Sequence, residues 1–188
     1  MQALFFLLFC VSANIFVAPS GDENNWVKPL DSNWRAVLAA NATAHNLPKN
    51  SSDTELQHFA DTVSELTISP SFKITTLQPL VHFKALKTLY ITNNQTLTDW
   101  KPLAYLINIE RLELENCSIN NLKPLRQAAH LRRLNIARTA VKSLQPLCGL
   151  ANLEIVLCME TKIPRNKYGG INARCLPKEC RVIRDYVN

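Results

Sequence analysis

The sequence predicts an α/β solenoid, a short stack of similar coils that each carry one strand, with helices closing the front end. Three observations predict it. Pro-Leu recurs at Pro79-Leu80, Pro102-Leu103, Pro124-Leu125 and Pro146-Leu147, at steps of 23, 22 and 22 residues. Leu66, Leu89, Leu112, Leu134 and Val156 recur at steps of 23, 23, 22 and 22. Two residues after each of these stands Ile68, Ile91, Leu114, Ile136 or Cys158, the apolar-x-apolar alternation of a strand with one buried face. A fixed period of this length marks a repeat architecture. One coil cannot enclose its own leucines, so neighbours must stack to bury a continuous column.

The elements follow in chain order. Residues 1–20, MQALFFLLFCVSANIFVAPS, carry no charged side chain. Their apolar run falls short of the roughly 20 residues that span a bilayer, which predicts a secretory signal peptide with small residues near Ala13 or Ser20 for cleavage. Residues 21–64 are expected to form a helical N-terminal cap. Asp31 and Ser32 precede Trp34, Val37 and Leu38, and the capping-box pair Ser52 and Glu55 precedes Leu56, Phe59, Ala60 and Val63 at helical spacing.

About five coils fill residues 65–163. Five residues beyond each strand leucine stands Ser71, Asn94, Cys117, Thr139 or Thr161, a small polar side chain expected to partner backbone groups inside the stack. The leucine pattern stops after Ile163, and Pro164, Gly169, Gly170 and Pro177 break regularity. Residues 164–188 are therefore expected to be an irregular C-terminal cap and basic tail. From residue 162 onward there are seven basic and two acidic side chains, against a net charge of +6 for the whole chain.

Each coil reads L-x-L-x-x-(N/C/T/S)-x-(I/L/V)-x-x-L-x-P-L-x-x-L-x-x-L, with one extra residue in the first two. This resembles the leucine-rich repeat family, specifically its 22-residue internalin-like type, over residues 65–163. The resemblance implies a curved stack with a parallel sheet on the concave side and short helical turns on the convex side. It also implies a module that binds another protein rather than a catalyst. The chain lacks the long array and wall-anchoring tail of surface-displayed relatives, so a periplasmic or secreted binder is expected in preference to an adhesion module.

Side chains alternating with the buried leucines should line the concave face. They are Glu65, Thr67 and Ser69, then Thr88, Tyr90 and Thr92, then Arg111, Glu113 and Glu115, then Arg133, Asn135 and Ala137, and last Ile155, Leu157 and Met159. The partner-binding set is expected to be Thr88, Tyr90, Thr92, Arg111, Glu113, Glu115, Arg133, Asn135, Ile155, Leu157 and Met159. Glu113 or Glu115 should pair with Arg111 or Arg133 across neighbouring strands. The closing segment could instead fold over Ile155, Leu157 and Met159, and the sequence leaves both arrangements open.

Chemistry beyond binding has little support. There is no G-x-S-x-G, H-E-x-x-H or phosphate-cradling glycine loop, and the chain has only four glycines. Glu113 and Glu115 are the only carboxylate pair suited to a hydrolytic enzyme, and no deep apolar pocket is apparent around them. No cofactor is expected. Cleavage of the leader would remove Cys10 and leave five cysteines, an odd number for an oxidising compartment. Cys148, Cys158, Cys175 and Cys180 are disulfide candidates with three possible pairings. The C-x4-C spacing with no His beyond His130 argues against zinc. Basic residues are not interleaved with aromatics, which argues against nucleic acid.

Overall fold

The structure, a computed structural model, describes residues 25–164 and 174–185. The expected signal peptide lies outside the described residues. Two helices, α1 (Ser32–Ala44) and α2 (Asp53–Thr62), precede six strands: β1 (Glu65–Ile68), β2 (Thr88–Ile91), β3 (Arg111–Glu113), β4 (Arg133–Asn135), β5 (Ile155–Leu157) and β6 (Arg181–Ile183). The strands form one parallel sheet in chain order. Parallel neighbours require a crossover, and each of the four connections from β1 to β5 includes a 3-10 turn that carries the recurrent Pro-Leu. Proline suits the first turn of a helix because its missing N–H has no partner to lose there.

Register follows the repeat. Leu66, Leu89, Leu112, Leu134 and Val156 stand opposite one another along the sheet, and all are buried. The second inward row, Ile68, Ile91, Leu114, Ile136 and Cys158, is buried as well. Each leucine is covered by the coils on either side, so the core is a column running the length of the stack.

The polar position inside the turn is used in four coils. Asn94 accepts from the Leu97 and Thr96 amides, and the Cys117 thiol donates to the Ile91 carbonyl at 3.1 Å in the preceding coil. Thr139 and Thr161 donate to the carbonyls of Ile136 and Cys158. Ser71 does not join them. The first coil makes a 3-10 turn at Pro70–Phe72 capped by Ser69, and this leaves Ser71 exposed.

The front of the stack is closed as its sequence signals require. The Asp31 side chain accepts from the Trp34 amide at 2.8 Å, and Ser52 and Glu55 complete a reciprocal capping box at α2. Arg35 joins the helices through two hydrogen bonds to Asp53, which hold that carboxylate below its ordinary pKa. Trp34, wholly buried, donates its indole N–H to the Thr76 carbonyl at 2.8 Å. Asn41 meets the outer edge of β1, accepting from the Thr67 amide and donating to the Thr67 carbonyl, both at 2.8 Å. A side-chain amide thus occupies hydrogen-bonding groups that an edge strand would otherwise offer to another chain.

At the far end the structure departs from an entirely irregular closing segment. β6 adds a sixth strand, with Arg181, Val182 and Ile183 in register with Ile155, Val156 and Leu157. Its step of 26 residues from β5 falls outside the repeat period, and its sequence lacks leucine. A disulfide joins Cys148 to Cys175, tying the last 3-10 turn to the segment before β6. Cys158 and Cys180, the other two candidates, carry free thiols. Cys158 points into the core from β5, where it continues the apolar column instead of reaching the cap.

Two outcomes test this packing. Leu112→Ala should lower unfolding stability by about 2 to 5 kcal/mol, because a wholly buried leucine leaves a cavity between two coils. Glu113→Ala, one residue along on the open face, should cost less than about 1 kcal/mol. Urea titration of the two variants checks the strand phase, and equal losses would refute it. Reducing the Cys148–Cys175 bond, which closes a separation of 27 residues, should cost about 3 kcal/mol. Thermal unfolding with and without reductant, repeated on Cys148→Ser, reads that loss.

Candidate functional site

The open face of the sheet is built in rows because the coils are in register. One row runs Glu65, Thr88, Arg111, Arg133, Ile155, Arg181, and the next runs Thr67, Tyr90, Glu113, Asn135, Leu157, Ile183. Strand alternation sets these against the buried leucines. Six strands about 4.8 Å apart make the face about 24 Å long and, at three residues each, about 10 Å wide.

Its middle is already organised. Arg111 donates from Nε to Glu113 Oε1 at 2.9 Å, and its guanidinium lies over the Tyr90 ring, 5.3 Å from the centroid. The bond to Glu113 raises the Arg111 pKa, so this arginine stays charged. Tyr90, Arg111 and Glu113 therefore form a trio held in one geometry, each only half-buried. Glu113 is thus paired with Arg111 within β3, not across neighbouring strands as expected.

Glu115 behaves differently from expectation. Arg138 approaches it at 3.7 Å and also bonds Glu160, while Asn135 donates to Glu115 at 3.4 Å. Arg133 has no ion pair among the described residues. Asn135 is only 8% exposed and accepts from the Ala137 amide at 3.0 Å, so its amide serves the turn beneath it. Ala137 is wholly buried, in contrast to its expected place on the surface. Thr88 and Thr92 are half-buried, as are Ile155, Leu157 and Met159. The closing segment flanks that apolar group through β6 without burying it.

Sequence reasoning missed three residues of this face. Arg181 and Ile183 belong to the strand outside the period. Arg138 adopts a left-handed conformation, φ 57°, at the position occupied by Asn93, Asn116 and Glu160 in other coils. Its constant distance from the strand leucine was the available signal.

Nothing concentrates around Glu113 and Glu115 for acid and base chemistry, since each is engaged by an arginine on an open surface. Two hollows of the described surface lie away from this pair. One, of about 550 Å³, sits at the entry to the strands beside Glu110, His130, Arg132 and Glu154. The other, of about 430 Å³, lies among the turns after the strands, beside Gln95, Asn116, Ser118 and Arg138. Among the described residues no group of three or more His, Cys, Asp or Glu is placed to hold a metal ion. Among them, too, no helix is long and apolar enough to cross a membrane.

No family model matches the sequence, and no curated protein matches it. Solved structures do. An internalin C2 from Listeria monocytogenes is similar at 28% identity and TM-score 0.53, over 70% of this chain and 54% of that one. An internalin F from the same organism is similar at 18% identity and TM-score 0.56, over 74% of this chain and 46% of that one. A leucine-rich repeat protein of Leptospira interrogans is similar at 23% identity and TM-score 0.54, over 70% and 33%. The chain spans about half, or less, of the length of these neighbours. They agree with the leucine-rich repeat resemblance of the coils and with its internalin-like type.

The free thiols give a direct check on this arrangement. Burial pushes the Cys117 and Cys158 thiols up to about 11, and raises Cys180 as well, with only Cys180 partly exposed. At about pH 8 an aromatic disulfide reagent should label Cys180 first, leaving the other two unreactive until urea opens the stack. Early labelling of Cys117 would contradict its place inside the turn.

Proposed function

We propose that this leucine-rich repeat chain of the internalin-like type is an exported, non-catalytic module that binds another protein through the concave face of its sheet. The observation that carries the reading is the preset trio of Tyr90, Arg111 and Glu113 at the centre of an open, in-register face. Tyrosine and arginine dominate binding hot spots because each offers a large contact surface with a directed polar end. Here neither must be ordered when a partner arrives, which removes part of the entropic cost of association.

The organisation proposed is a signal peptide at 1–20, a helical cap at 21–64, repeats at 65–163 and a closing cap at 164–188. Export is supported by the Cys148–Cys175 disulfide, since such bonds persist in oxidising compartments. The proposed setting is the periplasm or the extracellular space, with a partner in the same compartment. The face is smaller than the roughly 800 Å² per partner of a standard interface, so residues flanking the strands contribute to the contact.

Site-directed photo-crosslinking tests the reading. A photoreactive side chain placed at Tyr90 or Glu113 should capture a protein from the extracellular or periplasmic fraction, whereas one at Gln127, on the opposite side, should not. Crosslinks confined to Gln127 would overturn concave-face binding. Glu113→Gln combined with Glu115→Gln should leave a captured partner chemically unchanged, as does the parent chain. Turnover by the parent that vanishes in the double variant would refute the non-catalytic reading.

A further inference from the structure

Resting on that reading, we infer that the C-terminal half of the concave face takes an acidic, aliphatic peptide segment of the partner. Arg133 and Arg181 flank Ile155 in one row of the sheet, and Leu157 and Ile183 lie beside one another in the next. Met159 extends the apolar patch past the end of β5. Ile155, Leu157, Met159 and Ile183 are all half-buried, and Arg133 and Arg181 are exposed.

The two arginines differ from the other cations of this region. Arg111 is held by Glu113, Arg132 by Glu154 at 2.9 Å, and Arg138 by Glu115 and Glu160. Arg184 donates to the Ile163 carbonyl. Among the described residues Arg133 and Arg181 have no carboxylate partner in an ion pair. An aliphatic strip between two guanidinium groups is complementary to a segment that presents Leu, Ile or Val between two acidic side chains on the same face. Extended peptides place residues i, i+2 and i+4 on one face, so carboxylates four residues apart can straddle the strip with the aliphatic side chain midway between them. Each would meet a guanidinium, whose fork suits a carboxylate.

A second copy of the chain is a poorer occupant. The net charge is +6, and Glu110, Glu113, Glu115, Glu154 and Glu160 are already engaged in ion pairs. An acidic partner gains from both the local and the overall charge.

The test pans a random peptide library of about 12 residues, displayed on phage, against the full chain. Enriched peptides should carry acidic residues interspersed with aliphatic ones. A synthetic copy should lose about tenfold or more in affinity with Arg133→Glu/Arg181→Glu, and similarly with Leu157→Asp. Gln127→Ala, exposed on the opposite side of the stack, should change it less than about threefold. Arg133→Gln/Arg181→Gln keeps much of the side-chain stem and guards against misfolding, with urea stability measured on every variant. Raising salt from about 0.1 to about 1 M, which shortens the screening length from about 10 to about 3 Å, should weaken binding severalfold.

Peptides without acid enrichment, or unaffected by the arginine changes, overturn the inference. If their binding falls with Tyr90→Ala instead, the concave-face reading stands and only this assignment fails. If no concave substitution matters, both fail. A concentration-dependent dimer dissolved by the arginine changes would give the patch to a second copy and overturn the peptide assignment.

Discussion

Burial of one coil's leucines by the next is the interaction on which the rest of this structure depends. A strand of three or four residues with a 3-10 turn behind it has no inside of its own. Leu112 is wholly buried because Leu89 and Leu134 stand beside it in register. At about 25 cal/mol per Å² of apolar surface, such burial is worth roughly 2 to 3 kcal/mol for each leucine, and the sum must offset the ordering of the whole chain. Stability therefore belongs to the interfaces between coils, and the ends of the stack are where it is most exposed to loss.

Both ends are closed, by different means. At the front, α1 and α2 bring Trp34, Val37, Leu38, Leu56 and Phe59 over the first coil, while Asn41 occupies the edge of β1 with side-chain hydrogen bonds. At the back less apolar material is buried among the described residues. There β6 continues the sheet for one strand with Val182 in the leucine position, and the Cys148–Cys175 bond holds the segment that delivers it. A covalent tie is a reasonable substitute where hydrophobic burial is thin.

The same register that builds the core builds the open face. Because each strand leucine is fixed opposite the next, the side chains between them are fixed in rows as well, and one row's chemistry can be set without disturbing the other. The middle of the face spends its charges internally, with Arg111 on Glu113 and Arg138 between Glu115 and Glu160. This gives rigidity there, whereas toward the C-terminal half Arg133 and Arg181 have no carboxylate partner among the described residues.

The sequence by itself determined the solenoid and its strand phase, and it carried the signals for the two helices ahead of the first strand. All of these follow from local pattern: a period of 22 or 23, alternation within a strand, a capping box, a proline at the start of a turn. The tertiary structure decided what depends on meeting across coils or across a break in the period. It paired Glu115 with Arg138 instead of Arg133, sank Asn135 and Ala137 below the surface, and left Ser71 out of the turn ladder. It also chose Cys175 for Cys148 from three possible pairings and recruited β6 from a stretch without leucine. The physical reason is common to all of these. Periodicity fixes which way a side chain points, but a partner is fixed by distance in space, and that distance exists only once the coils are stacked.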